Sequence, residues 1–409
     1  MAKRRSQPTD VIGRNSVHPF PARMAPRIAF DALKERPERL RVLDPMMGSG
    51  TVLSIARALG HHAQGVDIDP LAVLISKVWT TAINTEEVSD AARAVLAEAV
   101  VNYKRQTLAS AYAPNADDET KQFMRYWFDA QVRKQMACLV RSIGLIRDDA
   151  IRDVLWCGMS RMVITKAVGV SLAMDLSHSR PHRVYDRAPV KPFDRFLESV
   201  AHILKNCPHK GDGNTARTSP LLGDARKLSI QDNSIDIVIT SPPYLNAIDY
   251  MRCSKFSLVW MGYSTAQIRS IRGSSVGAEA KLKLENNKEV IDEVLAGLKV
   301  ESKLGARDIG ILRRYILDLH QSVREVSRVL VPNGEAVYVV GDSTIKGTFV
   351  RNSRIVQHVA ELNGLRLARR STRTLPENKR YLPPPSANLA GAQMASRMRK
   401  EVVLSLVAE

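Results

Sequence analysis

The chain has 409 residues, of which 44% are hydrophobic and 25% are charged, and these are ordinary proportions for a globular protein with a sizeable core. Sixty lysines and arginines outnumber 42 acidic residues, and the formal net charge of +18 makes nucleic acid the first partner to consider. A ribosome-associated or acidic-lipid-binding protein would share that charge. No apolar run approaches a membrane span, and the basic first residues lack the apolar core of a secretory signal, so we expect neither a membrane-spanning nor a secreted protein.

The cysteines and the first residues add two expectations. Four cysteines are widely spread and none forms a CxxC pair, which predicts a reducing cytoplasm, no disulfide framework and no zinc site. Residues 1–17 are predicted to be a disordered basic arm. The string HPFPARM (residues 18–24) then leads into a predicted helix, Pro26–Leu33. On its own, this string is equally compatible with a simple proline-rich start to a helix.

A glycine turn follows the first predicted strand. The strand Val42–Asp44 runs into Pro45-Met46-Met47-Gly48-Ser49-Gly50-Thr51, and a helix is predicted over Val52–Leu59. Glycines let the backbone approach a ligand closely, and a helix start offers unpaired amide donors. The string fits neither a Walker loop nor a GxGxxG fingerprint. It therefore predicts a ligand site for a phosphate or a carboxylate.

A second acidic strand end comes about twenty residues after Asp44. The predicted strand His62–Asp67 ends in a carboxylate that can accept both ribose hydroxyls of a nucleoside. Asp69 precedes the next predicted helix, Leu71–Thr80, and is equally suited to cap that helix or to contact a ligand. The two strand ends together favour a nucleoside-containing ligand.

A long helical stretch interrupts the alternation of strands and helices. Residues 85–214 are predicted to form an inserted, mainly helical subdomain that is a candidate for DNA recognition. It contains an aromatic cluster that fits a packed core better than a base-stacking platform: Phe123, Tyr126, Trp127 and Phe128. It also contains a basic loop, with Arg180, His182 and Arg183, that is either a phosphate contact or a solvated loop.

The most distinctive stretch is a buried strand that ends in two prolines. Ile235–Ile239 is rich in β-branched residues, and Thr240-Ser241-Pro242-Pro243-Tyr244 follows it. Consecutive prolines cannot continue a strand ladder and exclude the helical region for the residue before each of them. The chain must therefore leave the sheet in a stiff turn that presents a hydroxyl, free carbonyls and an aromatic ring. Such a turn suits a flat polar base, although proline also serves as a plain stop signal.

The remainder continues the alternation. Residues 262–306 are predicted to be a mobile loop that closes over DNA, or else a charged surface excursion. The other predicted helices and strands are a helix Asn246–Trp260, a helix Arg307–Leu330, a strand Glu335–Val340, a helix Val350–Leu362, a strand Arg366–Thr372 and a strand Val402–Val407. Strands alternating with helices predict an α/β fold with a largely parallel, doubly covered sheet. In such a sheet, Asp44 and Ser241 would end neighbouring strands at a switch point.

The motifs DPMMGSGT, GVDIDP and TSPPY, in this order, resemble those of the S-adenosylmethionine-dependent amino-methyltransferases of DNA, in particular the N4-cytosine type. HPFPARM resembles the remaining cofactor-binding segment of that family. The resemblance implies a Rossmann-like class I methyltransferase fold with a seven-stranded, mostly parallel sheet, formed by residues 18–84 and 215–409. It further implies S-adenosyl-L-methionine as the cofactor with no metal, double-stranded DNA as the substrate, and a bacterial or archaeal cytoplasm with association to the nucleoid. A restriction or defence-system partner would be compatible with it.

The resemblance also assigns residues. The cofactor-binding set that it implies is Phe20, Pro21, Asp44, Pro45, Gly48, Gly50, Thr51, Asp67, Ile68, Asp224 and Ala225. The catalytic set is Ser241, Pro242, Pro243 and Tyr244. Ser241 stands where adenine-specific relatives usually carry Asp or Asn, which favours N4 of cytosine. Methylation of adenine N6, methylation of an RNA base and a catalytically silent DNA-binding subunit remain as alternatives.

Overall fold

The computed structural model describes residues 7–21, 23–165, 168–174, 181–245, 251–277, 288–298, 304–345, 348–375 and 400–409. Within these ranges the strands are β1 Arg41–Asp44, β2 His62–Asp67, β3 Ala173–Met174, β4 His182–Arg183, β5 Thr218–Leu222, β6 Ile235–Thr240, β7 Leu330–Gly341, β8 Ser343–Ile345, β9 Thr348–Val350, β10 Leu365–Thr374 and β11 Lys400–Ala408. The helices are α1 Thr9–Ile12, α2 Pro26–Leu33, α3 Thr51–Ala58, α4 Pro70–Thr80, α5 Thr85–Tyr103, α6 Asp118–Trp127, α7 Ala130–Gly144, α8 Asp149–Val163, α9 Pro192–Leu204, α10 Met251–Leu258, α11 Thr265–Ser274, α12 Lys288–Leu298, α13 Ala306–Val329 and α14 Asn352–Glu361.

One seven-stranded sheet organises the fold, with the strand order β10-β11-β7-β6-β1-β2-β5. The pairs from β5 through β7 are parallel, and β11 is antiparallel to both of its neighbours. The chain builds outward from β1 through β2 to β5 and then returns to add β6 on the other side of β1. This arrangement is that of Rossmann-like class I methyltransferases, so the predicted α/β fold is confirmed. Its switch point lies between β1 and β6.

Contacts at both ends fix the register of β1 against β6. Val42 pairs with Ile237 in the middle of these buried strands. At the amino ends, the Arg41 backbone amide donates to Asp236 Oδ2 over 2.7 Å. At the carboxyl ends, Thr240 Oγ1 donates to Asp44 Oδ1 over 2.8 Å. Because a parallel sheet brings all its carboxyl ends to one edge, the glycine turn and the double-proline turn leave the sheet side by side.

The helices between β2 and β5 do not enclose a core of their own. Buried residues of α5, α7, α8 and α9 form one apolar cluster with Leu71 and Trp79 of α4 and with Phe256 of α10. Within the predicted aromatic cluster, Phe128 is fully buried and packs edge-to-face on Phe256, whereas Tyr126 is about half exposed. The inserted helices therefore pack on α4 and α10 as a continuous layer.

The predicted disordered arm is wrong for residues 7–17. These residues include α1, and Val17 is fully buried. The Asn15 backbone amide donates to Asn206 Oδ1 over 2.9 Å, and the His202 ring is 3.3 Å from the Ser16 carbonyl oxygen. The prediction followed the basic character of the first residues. It did not take into account the apolar and polar contacts that hold this segment against α9. Residues 1–6 lie outside the described residues.

The predicted loop at 262–306 is also wrong where the structure describes it, because the segment contains α11 and α12. Ser264 forms a capping box at the start of α11. In α12, Ile291, Val294 and Leu295 are buried, a helical i, i+3, i+4 spacing that the surrounding charges masked. Closure of this segment over DNA stays a prediction.

Two other predicted segments lie partly outside the residues that the structure describes. Arg180 lies outside the described residues, while His182 and Arg183 are exposed in β4. Residues 246–250 are not described either, so the predicted helix after the double-proline turn is confirmed only from Met251 onward. No helix in the described ranges has both the length and the apolarity needed to cross a membrane.

Candidate active site

The glycine turn is held tightly between β1 and α3. The Met47 amide donates to the Val66 carbonyl oxygen over 3.0 Å, and the Gly48 amide donates to Asp67 Oδ2 over 2.8 Å. Gly50 has a φ of +80°, and an added Cβ would lie 2.8 Å from the Ser76 Cβ. Only glycine combines this left-handed conformation with the close approach of α4. The turn is therefore held in a fixed position above the ends of β1 and β2.

Three carboxyl groups are concentrated beneath this turn. Asp44 Oδ1 accepts from Thr240 and, over 3.2 Å, from the Met46 amide. Asp69 caps α4 by accepting from the Leu71 amide, and it also accepts from Ser254 Oγ over 2.5 Å. Burial raises the pKa of Asp44 to about 7 and that of Asp69 to about 7, and the nearby Asp67 carboxylate adds to both shifts. The two buried carboxyl groups therefore hold protons more tightly than exposed ones do.

Asp67 is the most accessible of the three acids. Its carboxylate accepts from the amides of Gly48 and Asp69, and its side chain is only half-buried. Burial raises the pKa of Asp67 as well. Ile68 follows it and is also half-buried. The two residues thus line the surface of the cleft beside the glycine turn, whereas Asp69 has a structural role as a cap.

The segment at residues 18–24 crosses the same edge of the sheet. Phe20 Cε1 lies 3.6 Å from the position of a Cβ on Gly48, and Phe20 packs in the apolar cluster on the α4 face. Met24 packs in the cluster formed by α2, α3 and β1 on the opposite face. Pro21 is buried between them. The chain must therefore pass over the carboxyl ends of the strands, beside the glycine turn; Ala22 lies outside the described residues.

Two residues in this segment carry buried polar atoms. His18 Nε2 is 3.0 Å from Ser160 Oγ, which donates to Ser257 Oγ over 2.8 Å, and burial lowers the pKa of His18 to about 3. Arg23 Nη1 is shielded from solvent and has no hydrogen-bond partner among the described residues, and burial lowers the pKa of Arg23 to about 10. Arg23 was not among the predicted site residues. Its place in HPFPARM was the only sequence signal for it.

The double-proline turn positions two hydroxyl groups. Ser241 Oγ donates to the Val339 carbonyl oxygen over 3.0 Å, and Tyr244 Oη donates to Glu401 Oε1 over 3.2 Å. The two hydroxyl oxygens are 3.3 Å apart. Pro242 is buried, while Ser241, Pro243 and Tyr244 are half-buried. The turn therefore sits at the cleft with both of its hydroxyls oriented by neighbouring strands.

Glu401 was not anticipated from the sequence. It lies in β11, is 8% exposed, and its Oε2 is 2.8 Å from Arg373 Nε on the paired strand β10, an ion pair whose angle falls short of a hydrogen bond. A final strand that inserts antiparallel between β7 and β10 brings residue 401 back beside Gly341. That proximity is a product of the topology, and no local motif indicates it.

Asp224 lies at the predicted edge of the sheet, but its carboxylate is paired with an arginine. It follows β5, whose last residue, Leu222, pairs with Asp67. Arg226 donates to both oxygens of the Asp224 carboxylate and also to Asp318 over 2.7 Å. Although burial alone would raise the pKa of Asp224, these contacts with Arg226 lower it. Its carboxylate is therefore held in an ion-pair network.

The remaining predicted residues lie at the same edge. Pro45 is buried in the glycine turn, Thr51 begins α3, and Ala225 is buried after β5. Within the described residues, no three His, Cys, Asp or Glu side chains are arranged to hold a metal ion. Every predicted cofactor-binding and catalytic residue thus stands on a segment at the carboxyl edge of β1, β2, β5 or β6, or on the segment that crosses that edge.

Comparisons with known proteins give similarity at low identity. No protein-family model matches the chain. The chain is 24% identical over 432 residues to the type II methyltransferase M.MvaI of Kocuria varians, covering 95% of this chain and 90% of that protein. It is 24% identical over 274 residues to M.BsoBI of Geobacillus stearothermophilus, covering 61% of this chain and 52% of that protein. It is 22% identical over 362 residues to M.AvaI of Nostoc, covering 78% and 72%.

Solved structures are more distant. A TehB-like SAM-dependent methyltransferase from Corynebacterium glutamicum is 10% identical with a TM-score of 0.29, covering 97% of this chain and 90% of that one. A protein from Thermus thermophilus described as a DNA modification methylase, in complex with S-adenosyl-L-methionine, is 19% identical with a TM-score of 0.22, covering 46% of this chain and 53% of that one. The relatives that this chain resembles over most of its length are therefore type II methyltransferases.

Proposed function

We propose that this chain is an S-adenosylmethionine-dependent DNA methyltransferase. The observation that carries the proposal is the meeting of the glycine turn and the double-proline turn at the switch point, linked by the Thr240–Asp44 hydrogen bond. The similarity to M.MvaI over nearly the whole chain supports it. The net charge of +18 suits a DNA substrate.

The residues around the glycine turn fit the cofactor. Gly50 packs so closely against Ser76 that a Cβ would overlap it, which holds the backbone of the glycine turn in place. The hydroxyls of Ser49 and Ser76 are buried without a hydrogen-bond partner among the described residues. Asp67 presents a half-buried carboxylate for the ribose hydroxyls, and Arg23 offers an unpaired guanidinium nitrogen for a carboxylate. When bound, S-adenosylmethionine supplies a methyl group on a positively charged sulfur that is already a good leaving group.

The double-proline turn would act on the nucleobase. An exocyclic amine is a weak nucleophile because its lone pair is delocalised into the ring. Acceptance of its N–H hydrogens by Ser241 Oγ and by the Pro242 carbonyl oxygen would localise that lone pair. Tyr244 would stack on the base, which must be flipped out of the duplex to reach the cleft. Orientation in such a cleft contributes up to about 7–11 kcal/mol in well-oriented reactions.

We further propose N4 of cytosine as the target atom. Ser241 stands at the position where adenine-specific relatives usually carry an acidic or amide residue, and this single residue supports cytosine over adenine. Methylation of adenine N6 is the second candidate, because both bases carry an exocyclic amine and the turn accepts hydrogen bonds from either. We also propose that the inserted helices contribute to recognition of the DNA sequence.

The test is transfer of a labelled methyl group from S-adenosylmethionine to plasmid DNA, followed by digestion and nucleoside analysis. We expect label in N4-methyl-2′-deoxycytidine from DNA, and none in RNA. Label in N6-methyl-2′-deoxyadenosine would keep the DNA methyltransferase and reject cytosine. Absence of transfer to any DNA, or label in RNA alone, would reject the proposed function.

A variant at the turn separates catalysis from cofactor binding. Ser241→Ala should lower methyl transfer at least about 100-fold, since removal of a single oriented group in an active site costs about 10²–10³. Cofactor binding, measured by calorimetry with S-adenosylhomocysteine, should be unchanged. Ser234→Ala is the matched control, because Ser234 is likewise a half-buried serine, and it lies directly before the amino end of the same strand. Loss of cofactor binding in Ser241→Ala would assign the turn a structural role.

A further inference from the structure

The two hydroxyl groups of the double-proline turn have their protons directed away from each other. The Val339 carbonyl oxygen can only accept a hydrogen bond, so the proton in that contact belongs to Ser241. The Glu401 carboxylate, paired with Arg373, likewise only accepts, so the proton in that contact belongs to Tyr244. Each hydroxyl carries one proton, and both are used.

The 3.3 Å contact between Ser241 Oγ and Tyr244 Oη therefore holds no hydrogen. Ser241 Oγ, whose proton is committed to the Val339 carbonyl oxygen, therefore presents a lone pair to the adjacent space. A ligand group placed there must donate hydrogen bonds. A carbonyl oxygen placed against Ser241 Oγ would meet an acceptor and would find no donor there, an arrangement that is costly in a desolvated site.

We propose that Glu401 is a positioning residue that sets this polarity, so that the turn selects a nucleobase bearing an exocyclic amine and rejects one bearing a carbonyl at the same place. The inference rests on the proposed function and deepens it, because it gives a physical basis for choosing cytosine over thymine or uracil. Glu401 acts through Tyr244 and does not itself touch the base.

The surroundings of Glu401 explain why a glutamine could not replace it. Arg373 approaches one carboxylate oxygen, Oε2, and Tyr244 donates to the other, Oε1. In Glu401→Gln, the amide oxygen would turn to Arg373, and the amide nitrogen would then donate to Tyr244. The Tyr244 proton would be forced toward Ser241 Oγ and would occupy the lone pair that receives the amine.

The experiment is a double-mutant cycle measured by steady-state methylation of unmethylated plasmid DNA. We expect Glu401→Gln to lower kcat about 10- to 100-fold, while the affinity for plasmid DNA, which depends mainly on phosphate contacts, stays within about twofold. Tyr244→Phe, which removes the hydroxyl and so has no proton to misdirect, should lose less activity than Glu401→Gln. In the Tyr244→Phe background, the further change Glu401→Gln should alter kcat by less than about twofold.

Glu335→Gln is the matched control. Glu335 lies in β7 at the amino edge of the sheet and forms a comparable ion pair with Arg36 at 2.7 Å, far from the turn. It should leave kcat unchanged, and thermal unfolding of all variants shows whether Glu401→Gln is folded. If Glu401→Gln does not fold, the methyl-transfer activity of Tyr244→Phe still tests the proposal. Loss of all methyl transfer in Tyr244→Phe would contradict it.

The outcomes separate the two proposals. An active wild type with an unaffected Glu401→Gln variant, or with equal losses from Glu401→Gln in both backgrounds, overturns the role of Glu401 and leaves the proposed function standing. A wild type that transfers no methyl group to DNA overturns both.

Discussion

Adjacent hydroxyl residues at the end of β6 serve different purposes. Thr240 is fully buried, and its hydroxyl ties β6 to β1 through Asp44. Ser241 is half-buried, and its hydroxyl oxygen faces the space beside Tyr244. Because side chains alternate between the two faces of a strand, one residue is available for structure and the next for a ligand. The double proline then fixes the second residue at the rim.

Asp69 gives a prediction about the pH dependence of stability. Its folded pKa of about 7 lies above the ordinary value of 3.8, so the native state holds a proton that the unfolded state loses. The unfolding free energy of the unliganded protein should therefore fall as the pH rises from about 4 to about 7. Asp69→Asn removes this contribution and should raise the unfolding free energy at pH 8 by on the order of 2 kcal/mol.

The measurement is urea denaturation at pH 5 and pH 8. Asp117→Asn is the control, because Asp117 also caps a helix but its pKa is lowered, chiefly by its hydrogen bonds with Thr120. The control should keep the decline in stability between the two pH values. A decline that is equally steep in Asp69→Asn would show that Asp69 is already charged in the folded protein. Asp44, whose pKa is also raised by burial, would then be the source.

Single residues show what a sequence can and cannot indicate. Asp44, Gly48, Gly50 and Asp67 all lie within 24 consecutive residues, and a strand–turn–helix–strand pattern is enough to place them together. Glu401 reaches Tyr244 only because β11 inserts between β7 and β10, across 157 residues of chain. Arg226 neutralises Asp224 through a side-chain rotamer that no spacing rule specifies. Local motifs were predictable, while partners from distant strands were not.

At the scale of elements, the glycine turn gives a second prediction. Gly50 and Gly60 flank α3, and both are left-handed, with φ of +80° and +85°. A Cβ on Gly60 would meet nothing within 4 Å, whereas one on Gly50 would overlap the Ser76 side chain. Gly60→Ala should therefore cost only the strain of the backbone, about 1–2 kcal/mol of stability. Gly50→Ala should cost more and should also displace the glycine turn, because its Cβ would overlap Ser76.

Thermal unfolding and calorimetric titration with S-adenosylhomocysteine measure the two effects. Gly60→Ala serves as the control for strain alone and should bind S-adenosylhomocysteine normally. We expect Gly50→Ala to weaken that binding at least about tenfold, since a misplaced backbone loses oriented amide donors. Equal behaviour of the two variants would mean that the contact between the turn and α4 has no part in ligand binding.

Helices and strands were predicted correctly where the sequence has clear boundary residues or a clear hydrophobic period. α2 and β2 begin and end where the sequence predicted, because proline, glycine and acidic residues mark their boundaries. The helix α12 was missed because charged residues surround its narrow apolar stripe, and α11 was missed because its glycine and serines are typical of loops. The first residues were assigned to a disordered arm, because a four-residue helix such as α1 carries too few residues to show a period.

At the scale of the whole molecule, the inserted helices share one apolar core with α4 and α10, two helices that flank the sheet. The sequence indicated an insertion by its length and helical pattern, but it gave no sign that the insertion shares its core with α4 and α10. Such sharing depends on which faces of separate helices meet, and that is decided by the tertiary fold. The hydrogen-bonded side chains of His18, Ser160 and Ser257 connect these parts of the protein, because they come from the N-terminal segment, from α8 and from α10.

Ser160→Ala tests whether the inserted helices and the candidate cofactor site unfold together. The substitution removes both hydrogen bonds of Ser160 and leaves His18 buried without a partner, so it should cost about 1–3 kcal/mol of unfolding free energy. Because His18 anchors the segment that brings Phe20 to Gly48, the binding of S-adenosylhomocysteine should weaken as well. Ser142→Ala is the matched control, since Ser142 is equally buried in α7 but has no hydrogen-bond partner among the described residues. Urea denaturation should show a single transition that shifts in Ser160→Ala and not in Ser142→Ala. Two separate transitions, with only one of them affected, would mean that the inserted helices fold independently of the cofactor site.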